Sequence, residues 1–145
     1  MLCNIEIKPT PGRESETGGA IALDATALWR DTDVPPLLSS FSEDALAAAR
    51  DAAPALPRAL LLDDLPADWE ARLVRLECVA LVIDHEALSD DIVKQARRAG
   101  YRVLAFTPNA PERIVELGAW GVDGIITDAV DHVPADSLPP PLPLA

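Results

Sequence analysis

Short runs of β-type residues recur along the chain, and most are nearly continuous in Leu, Ile, Val and Ala. Such runs are typical of parallel strands that are covered on both faces. The predicted strands span residues 4–8, 37–41, 58–62, 79–83, 102–106 and 124–128. Their starts are separated by 33, 21, 21, 23 and 22 residues. This spacing suits a repeated unit of one strand and one helix.

The segments between the strands carry helical patterns. Apolar residues recur at helical spacing in residues 42–53, 89–99 and 111–120. Residues that favour helix starts or helix ends flank these segments: Ser42, Ser89, Pro111, Gly100 and Gly121. The pattern predicts an α/β fold with about six strands and five helices.

Chain length alone leaves the architecture open. The 145 residues would complete an open doubly wound sheet of five or six strands. A full (β/α)8 barrel needs roughly 200 residues or more. Length by itself therefore favours the open sheet.

Charge and composition restrict the binding partners that the protein can have and the cellular location that we expect for it. The chain holds 24 acidic and 12 basic residues, for a net charge of −12, so its surface should repel nucleic acid. No apolar run approaches the roughly 18 residues of a membrane span, and no signal-peptide pattern opens the chain. We therefore predict a cytoplasmic protein with no nucleic-acid partner. Cys3 and Cys78 each open an apolar run, which indicates small buried hydrophobes.

The first predicted strand has one polar face. Alternation places Asn4, Glu6 and Lys8 on one side, and Ile5 and Ile7 on the other. A carboxylate and an ammonium that face inward are costly unless they are paired or bound. Glu6 suits a hard divalent cation, and Lys8 suits a phosphate oxygen. The alternative, an ordinary solvated strand edge, stays open on this pattern alone.

Other polar groups follow the ends of the later strands. Ser42 suits either an anion site or a simple helix cap. Asp63 and Asp64 favour a turn, and residues 84–86 (Asp-His-Glu) are typical of a polar loop. Phe106, at the end of the fifth strand, is either a wall for a sugar-like group or a plug in the core.

Five stretches, taken in order, resemble the cytoplasmic bacterial glycerophosphodiester phosphodiesterases. They are NIEIKPT from Asn4, PPLLSSF from Pro35, LPRALLLDD from Leu56, DDIVKQARRAGYRVLAFTPN from Asp90 and WGVDGIITDAVD from Trp120. This family has a parallel (β/α) barrel, so the resemblance reverses the preference for an open sheet. It implies an incomplete TIM-type barrel in residues 1–134 that lacks the N-terminal strands. The proline-rich composition of residues 135–145 predicts a disordered tail.

The resemblance also implies an activity in glycerophospholipid metabolism. Members hydrolyse a glycerophosphodiester to sn-glycerol 3-phosphate and an alcohol with a divalent metal, either Mg²⁺ or Ca²⁺. By position, Glu6 matches the glutamate that binds the metal, and Lys8 matches the neighbouring lysine on the phosphate side. Phe106 stands where the family usually has Trp or Tyr near the glycerol.

The family's other site residues precede the strand that carries Glu6. Neither His85 nor His132 matches a family histidine, so we assign no catalytic residue. We expect this chain to be inactive alone and to self-associate through exposed barrel edges. A non-catalytic module that binds a phosphate ligand, and a receiver-like α/β signalling domain, are the alternatives.

Overall fold

The computed structural model describes residues 3–134 and 137–138. In that part of the chain six strands alternate with five helices. The strands are β1 (Asn4–Glu6), β2 (Leu37–Ser40), β3 (Arg58–Leu62), β4 (Ala80–Asp84), β5 (Arg102–Phe106) and β6 (Gly124–Ile126). The helices are α1 (Glu14–Leu28), α2 (Glu43–Ala52), α3 (Trp69–Leu76), α4 (Asp90–Arg98) and α5 (Pro111–Trp120). Apart from residues 137 and 138, the predicted disordered tail lies outside the described residues.

The chain divides into two compact units. The first comprises residues 1–61 and 67–79, and the second comprises residues 62–66 and 80–145. In the first unit β1 pairs with β2 and β2 with β3, and in the second β4 pairs with β5 and β5 with β6, all in parallel. Strand neighbours thus follow chain order, whereas an open doubly wound sheet reverses its order at a switch point. The α/β fold is therefore an incomplete TIM-type barrel, which confirms the prediction.

Capping residues set the helix ends where the sequence predicted them. The Ser42 side chain accepts a hydrogen bond from the Ala45 amide (3.2 Å), and the Ser89 side chain accepts one from the Ile92 amide (3.3 Å). Gly121 ends α5 in the left-handed conformation (φ 90°), which a residue without Cβ adopts freely. These caps fix where each helix starts or stops relative to its strand.

Two helices lie outside the three segments with predicted helical spacing. In α3, Trp69, Leu73 and Leu76 are buried at helical spacing, but the helix has only eight residues. In α1, Leu23 and Leu28 are exposed, so its large apolar residues do not mark the buried side. Within the described part of the chain, no helix combines the length and the apolar character that crossing a membrane requires.

Small residues bring α1 and α2 together in the first unit. Gly18 is buried on α1, and a Cβ added there would lie 2.1 Å from the Ala45 carbonyl oxygen of α2. That distance leaves no space for a side chain at Gly18. The core beneath this contact is built mainly from small aliphatic residues: Ile7, Ala22, Ala25, Leu38, Ala45, Ala49, Ala53 and Leu56.

Replacing Gly18 therefore tests the α1–α2 contact. Gly18→Ala should lower the free energy of unfolding, because backbone atoms must move to admit the methyl group. Gly19→Ala is the matched control: nothing lies within 4 Å of its added Cβ. The control should raise stability by about 1 kcal/mol through helix propensity. Urea unfolding measures both, and equal effects of the two changes would contradict the close approach.

Burial also controls the chemistry of Cys78. This thiol is buried, and desolvation raises its pKa to about 12 although the nearby Arg58 opposes the shift. The raised pKa keeps Cys78 as a thiol, which confirms the prediction of a small buried hydrophobe for this residue.

We expect Cys78 to resist alkylation in the folded chain. At pH 8 its reaction with iodoacetamide should be about a thousandfold slower than that of an unfolded cysteine, because the thiolate is the nucleophile. Peptide mass spectrometry before and after urea addition measures the two rates. Equal rates in the folded and unfolded chains would contradict the burial.

Candidate functional site

The opening strand presents the polar face that its sequence predicts. Asn4, Glu6 and Lys8 are exposed, while Ile7 is buried and Ile5 packs against the core below α1 and α2. The strand ends at Glu6, so it is shorter than predicted and Lys8 lies two residues beyond its end. Glu6 therefore stands at the carboxyl end of β1, the edge where barrel folds carry their sites.

Glu6 and Lys8 form an ion pair on this face. The Lys8 Nζ lies 3.4 Å from Glu6 Oε1, with the lysine side chain 77% exposed and the glutamate 33% exposed. Exposed ion pairs of this kind contribute less than about 1 kcal/mol to the free energy of unfolding, because water screens both charges. Lys8 is thus held only weakly, and its ammonium can turn to another anion at little cost.

Strand register places Ser39 beside Glu6. The two residues are aligned across the parallel pair of β1 and β2, as are Ile5 and Leu38. Aligned residues of neighbouring parallel strands project to the same side of a sheet. Because Leu38 lies in the core, Ser39 and Glu6 share the opposite, polar face.

Phe106 lies at the carboxyl end of β5, in the second unit. It is aligned with Asp84 of β4 and Ile126 of β6, and its carbonyl accepts a hydrogen bond from the His85 amide (2.8 Å). Its side chain is half-buried. Contact with a glycerol group stays a prediction for this residue.

Asn109 organises the neighbouring loop. Its Oδ1 accepts hydrogen bonds from Thr127 Oγ1 (2.8 Å) and the Asp128 amide (3.1 Å). The carboxyl ends of β5 and β6 are therefore tied together by one side-chain amide. In the sequence, the position of Asn109 just after the predicted strand of residues 102–106 indicates this role in the loop.

Asp123 is a buried acid whose role sequence reasoning missed. Its side chain is 6% exposed and accepts hydrogen bonds from Arg97 Nη1 (2.8 Å), Arg102 Nη1 (2.8 Å) and the Val103 amide (2.9 Å). Two cations and one amide hold this carboxylate through charge-assisted and backbone hydrogen bonds. Asp123 thus fixes the start of β6 against β5 and α4.

The other acidic motifs have local roles. Asp64 Oδ1 accepts a hydrogen bond from the Leu65 amide (2.7 Å), and Asp84 Oδ1 accepts one from the Glu86 amide (2.8 Å). The bond from Glu86 forms an Asx turn after β4, and both bonds give these acids local roles in loops. Among residues 3–134 and 137–138, no three His, Cys, Asp or Glu side chains lie where they would share a metal ion.

Divalent cations such as Mg²⁺ and Ca²⁺ take six or more oxygen ligands. The polar face of β1 offers one carboxylate, that of Glu6, which already faces Lys8. The described residues alone therefore do not fit such an ion, although Glu6 suits one position in its coordination shell.

Comparison with known proteins identifies the family. The model of the glycerophosphoryl diester phosphodiesterase family matches residues 1–132 of the chain. The chain belongs to this family. Membership argues against the receiver-like signalling domain that the sequence left open.

Individual relatives show this similarity in sequence and in three-dimensional structure. A phosphodiesterase from Oleispira antarctica, solved with its product sn-glycerol-3-phosphate, is 32% identical with a TM-score of 0.80; the match covers 89% of this chain and 52% of that one. Protein YqiK of Bacillus subtilis is 31% identical over 130 residues, which are 88% of this chain and 53% of YqiK. A glycerophosphodiester phosphodiesterase from Parabacteroides distasonis, 20% identical with a TM-score of 0.69 over 88% of this chain and 52% of that one, shares the fold. The chain thus spans about half the length of these relatives.

The exposed ion pair on β1 predicts a small role in stability. Glu6→Gln should change the free energy of unfolding by less than about 1 kcal/mol, since Glu6 is partly solvated. Asp123→Asn should instead lower it by about 1–3 kcal/mol, because Arg97 and Arg102 lose the charge of a carboxylate that is only 6% exposed. Urea unfolding measures the free energy of unfolding of both variants. A large loss of this free energy in Glu6→Gln would show that Glu6 is a structural residue.

Proposed function

We propose that the chain supplies the Glu6–Lys8 strand of a glycerophosphodiester phosphodiesterase site. This enzyme hydrolyses a glycerophosphodiester to sn-glycerol 3-phosphate and an alcohol. The family match over residues 1–132 carries the proposal. The product bound in the Oleispira phosphodiesterase, 32% identical to this chain, supports the substrate class.

Each of the three predicted residues has a role in this proposal. Lys8 binds a phosphate oxygen, since its exposed ammonium is only weakly held by Glu6. Glu6 would supply one ligand to a divalent metal, which the family generally uses and which would stabilise charge at a phosphoryl group. Phe106 contacts the glycerol part of the substrate. A choice between Mg²⁺ and Ca²⁺, a cytoplasmic location and self-association stay predictions.

A chimera tests the activity. Residues 1–134 are joined to the part of the Oleispira phosphodiesterase that this chain does not cover, and release of sn-glycerol 3-phosphate from glycerophosphocholine is measured with Mg²⁺ or Ca²⁺. We expect turnover by the chimera and none by the chain alone. Glu6→Gln in the chimera should lower kcat about a hundredfold or more, as loss of a charge-stabilising group does.

Glu70→Gln is the matched control. Glu70 is exposed on α3, so the change removes the same charge away from the polar face of β1. It should leave turnover unchanged. A chimera that melts cooperatively but shows no turnover, or that keeps full activity with Glu6→Gln, would contradict the proposed function.

A further inference from the structure

Ser39 carries a buried hydroxyl group with no hydrogen-bond partner. The residue is fully buried, and in residues 3–134 and 137–138 its Oγ and His85 Nδ1 are the two buried side-chain polar atoms without a partner. Buried hydroxyl groups are nearly always paired, because an unpaired one loses its bond to water without compensation. The hydroxyl of Ser39 therefore needs an explanation.

The adjacent serine shows what a structural hydroxyl does in the same strand. Ser40 is equally buried, but its Oγ donates to the Ile7 carbonyl (2.7 Å) and accepts from the Ser42 amide (3.0 Å). Ser40 thus joins β2 to the end of β1 and to the start of α2. Ser39 contributes no such bond, so stability of the fold does not account for it.

The polar face of β1 offers Ser39 a partner. Glu6 is aligned with Ser39 across the β1–β2 pair and projects to the same side. Neighbouring strands are ~4.8 Å apart, so a rotation of the longer glutamate side chain brings its carboxylate to the hydroxyl group. In the structure the Glu6 carboxylate instead faces Lys8, at 3.4 Å.

We propose that Ser39 is a positioning residue that donates a hydrogen bond to the Glu6 carboxylate when Lys8 turns to a bound phosphate. This inference rests on the proposed function, in which Lys8 binds a phosphate oxygen. Glu6 then loses its ion pair with Lys8, and the hydroxyl group of Ser39 orients the carboxylate that the proposed function assigns to the metal. A phosphate that draws Lys8 away would therefore give the Ser39 hydroxyl group a partner that no described residue provides in this structure.

Thermal unfolding and ligand binding together test this role. Ser39→Ala should leave the Tm of the chain unchanged or raise it, since it removes an unpaired group. Ser40→Ala, the matched control, should lower the Tm by about 5 °C because two bonds are lost. A lower Tm for Ser39→Ala, similar to that of Ser40→Ala, would make Ser39 structural and overturn the proposal.

Binding of sn-glycerol 3-phosphate is then followed by ³¹P NMR titration. Ser39→Ala should weaken binding about tenfold, the usual value of a hydrogen bond to a charged group. In a Glu6→Ala background, which removes the acceptor, the same change should weaken binding less than about twofold, since Ser39 acts through Glu6.

The remaining outcomes separate the two proposals. Equal binding by Ser39→Ala and the unchanged chain would overturn the role of Ser39 and leave the proposed function intact. A tenfold loss that persists in the Glu6→Ala background would also overturn it, because Ser39 would then act without Glu6. Binding that is absent from the unchanged chain, but present when Lys8 is part of the active chimera, would reject this mechanism for the chain while the proposed function stands. If neither the unchanged chain nor the chimera binds sn-glycerol 3-phosphate, the result contradicts both the role of Ser39 and the proposed function.

Discussion

The register between β1 and β2 is the constraint on which the candidate site depends. Backbone bonds at both ends of the strand pair hold it: the Leu37 amide donates to the Cys3 carbonyl (2.9 Å), and the Ile7 amide donates to the Ser39 carbonyl (2.7 Å). Because side chains alternate along a strand, a shift of one residue would exchange the two faces of β1. Glu6 would then enter the apolar core, and Ile7 would take its place on the polar face.

The core holds this register through small side chains. Gly18 and Ala45 let α1 approach α2 closely, and Ile7 and Leu38 fill the space beneath them. Burial of the apolar side therefore determines which residues remain on the polar side. Glu6 itself contributes little to this packing, since it is partly exposed and weakly paired. Glu6 is therefore available to bind a ligand, because the stability of the fold depends on it only weakly.

Sequence patterns predicted most of the fold for a physical reason. Strands β3 and β4 are buried almost throughout, so their apolar runs are unmistakable. Helix α1 was harder to predict, because Gly and Ala form its buried side while Leu23 and Leu28 are exposed. Chain length alone favoured an open sheet, so it did not identify the barrel. That distinction came from family resemblance first and from strand pairing afterwards.

The candidate site was predictable only in part. Alternation identified the polar face of β1, but Ser39 looked like an ordinary hydroxyl residue, because only strand register reveals its neighbour. A crystal structure of the chain with sn-glycerol 3-phosphate tests the account most directly. We predict a phosphate oxygen within hydrogen-bond distance of Lys8 Nζ, and Ser39 Oγ within that distance of the Glu6 carboxylate. A phosphate bound elsewhere, with Glu6 still paired to Lys8, would contradict the account.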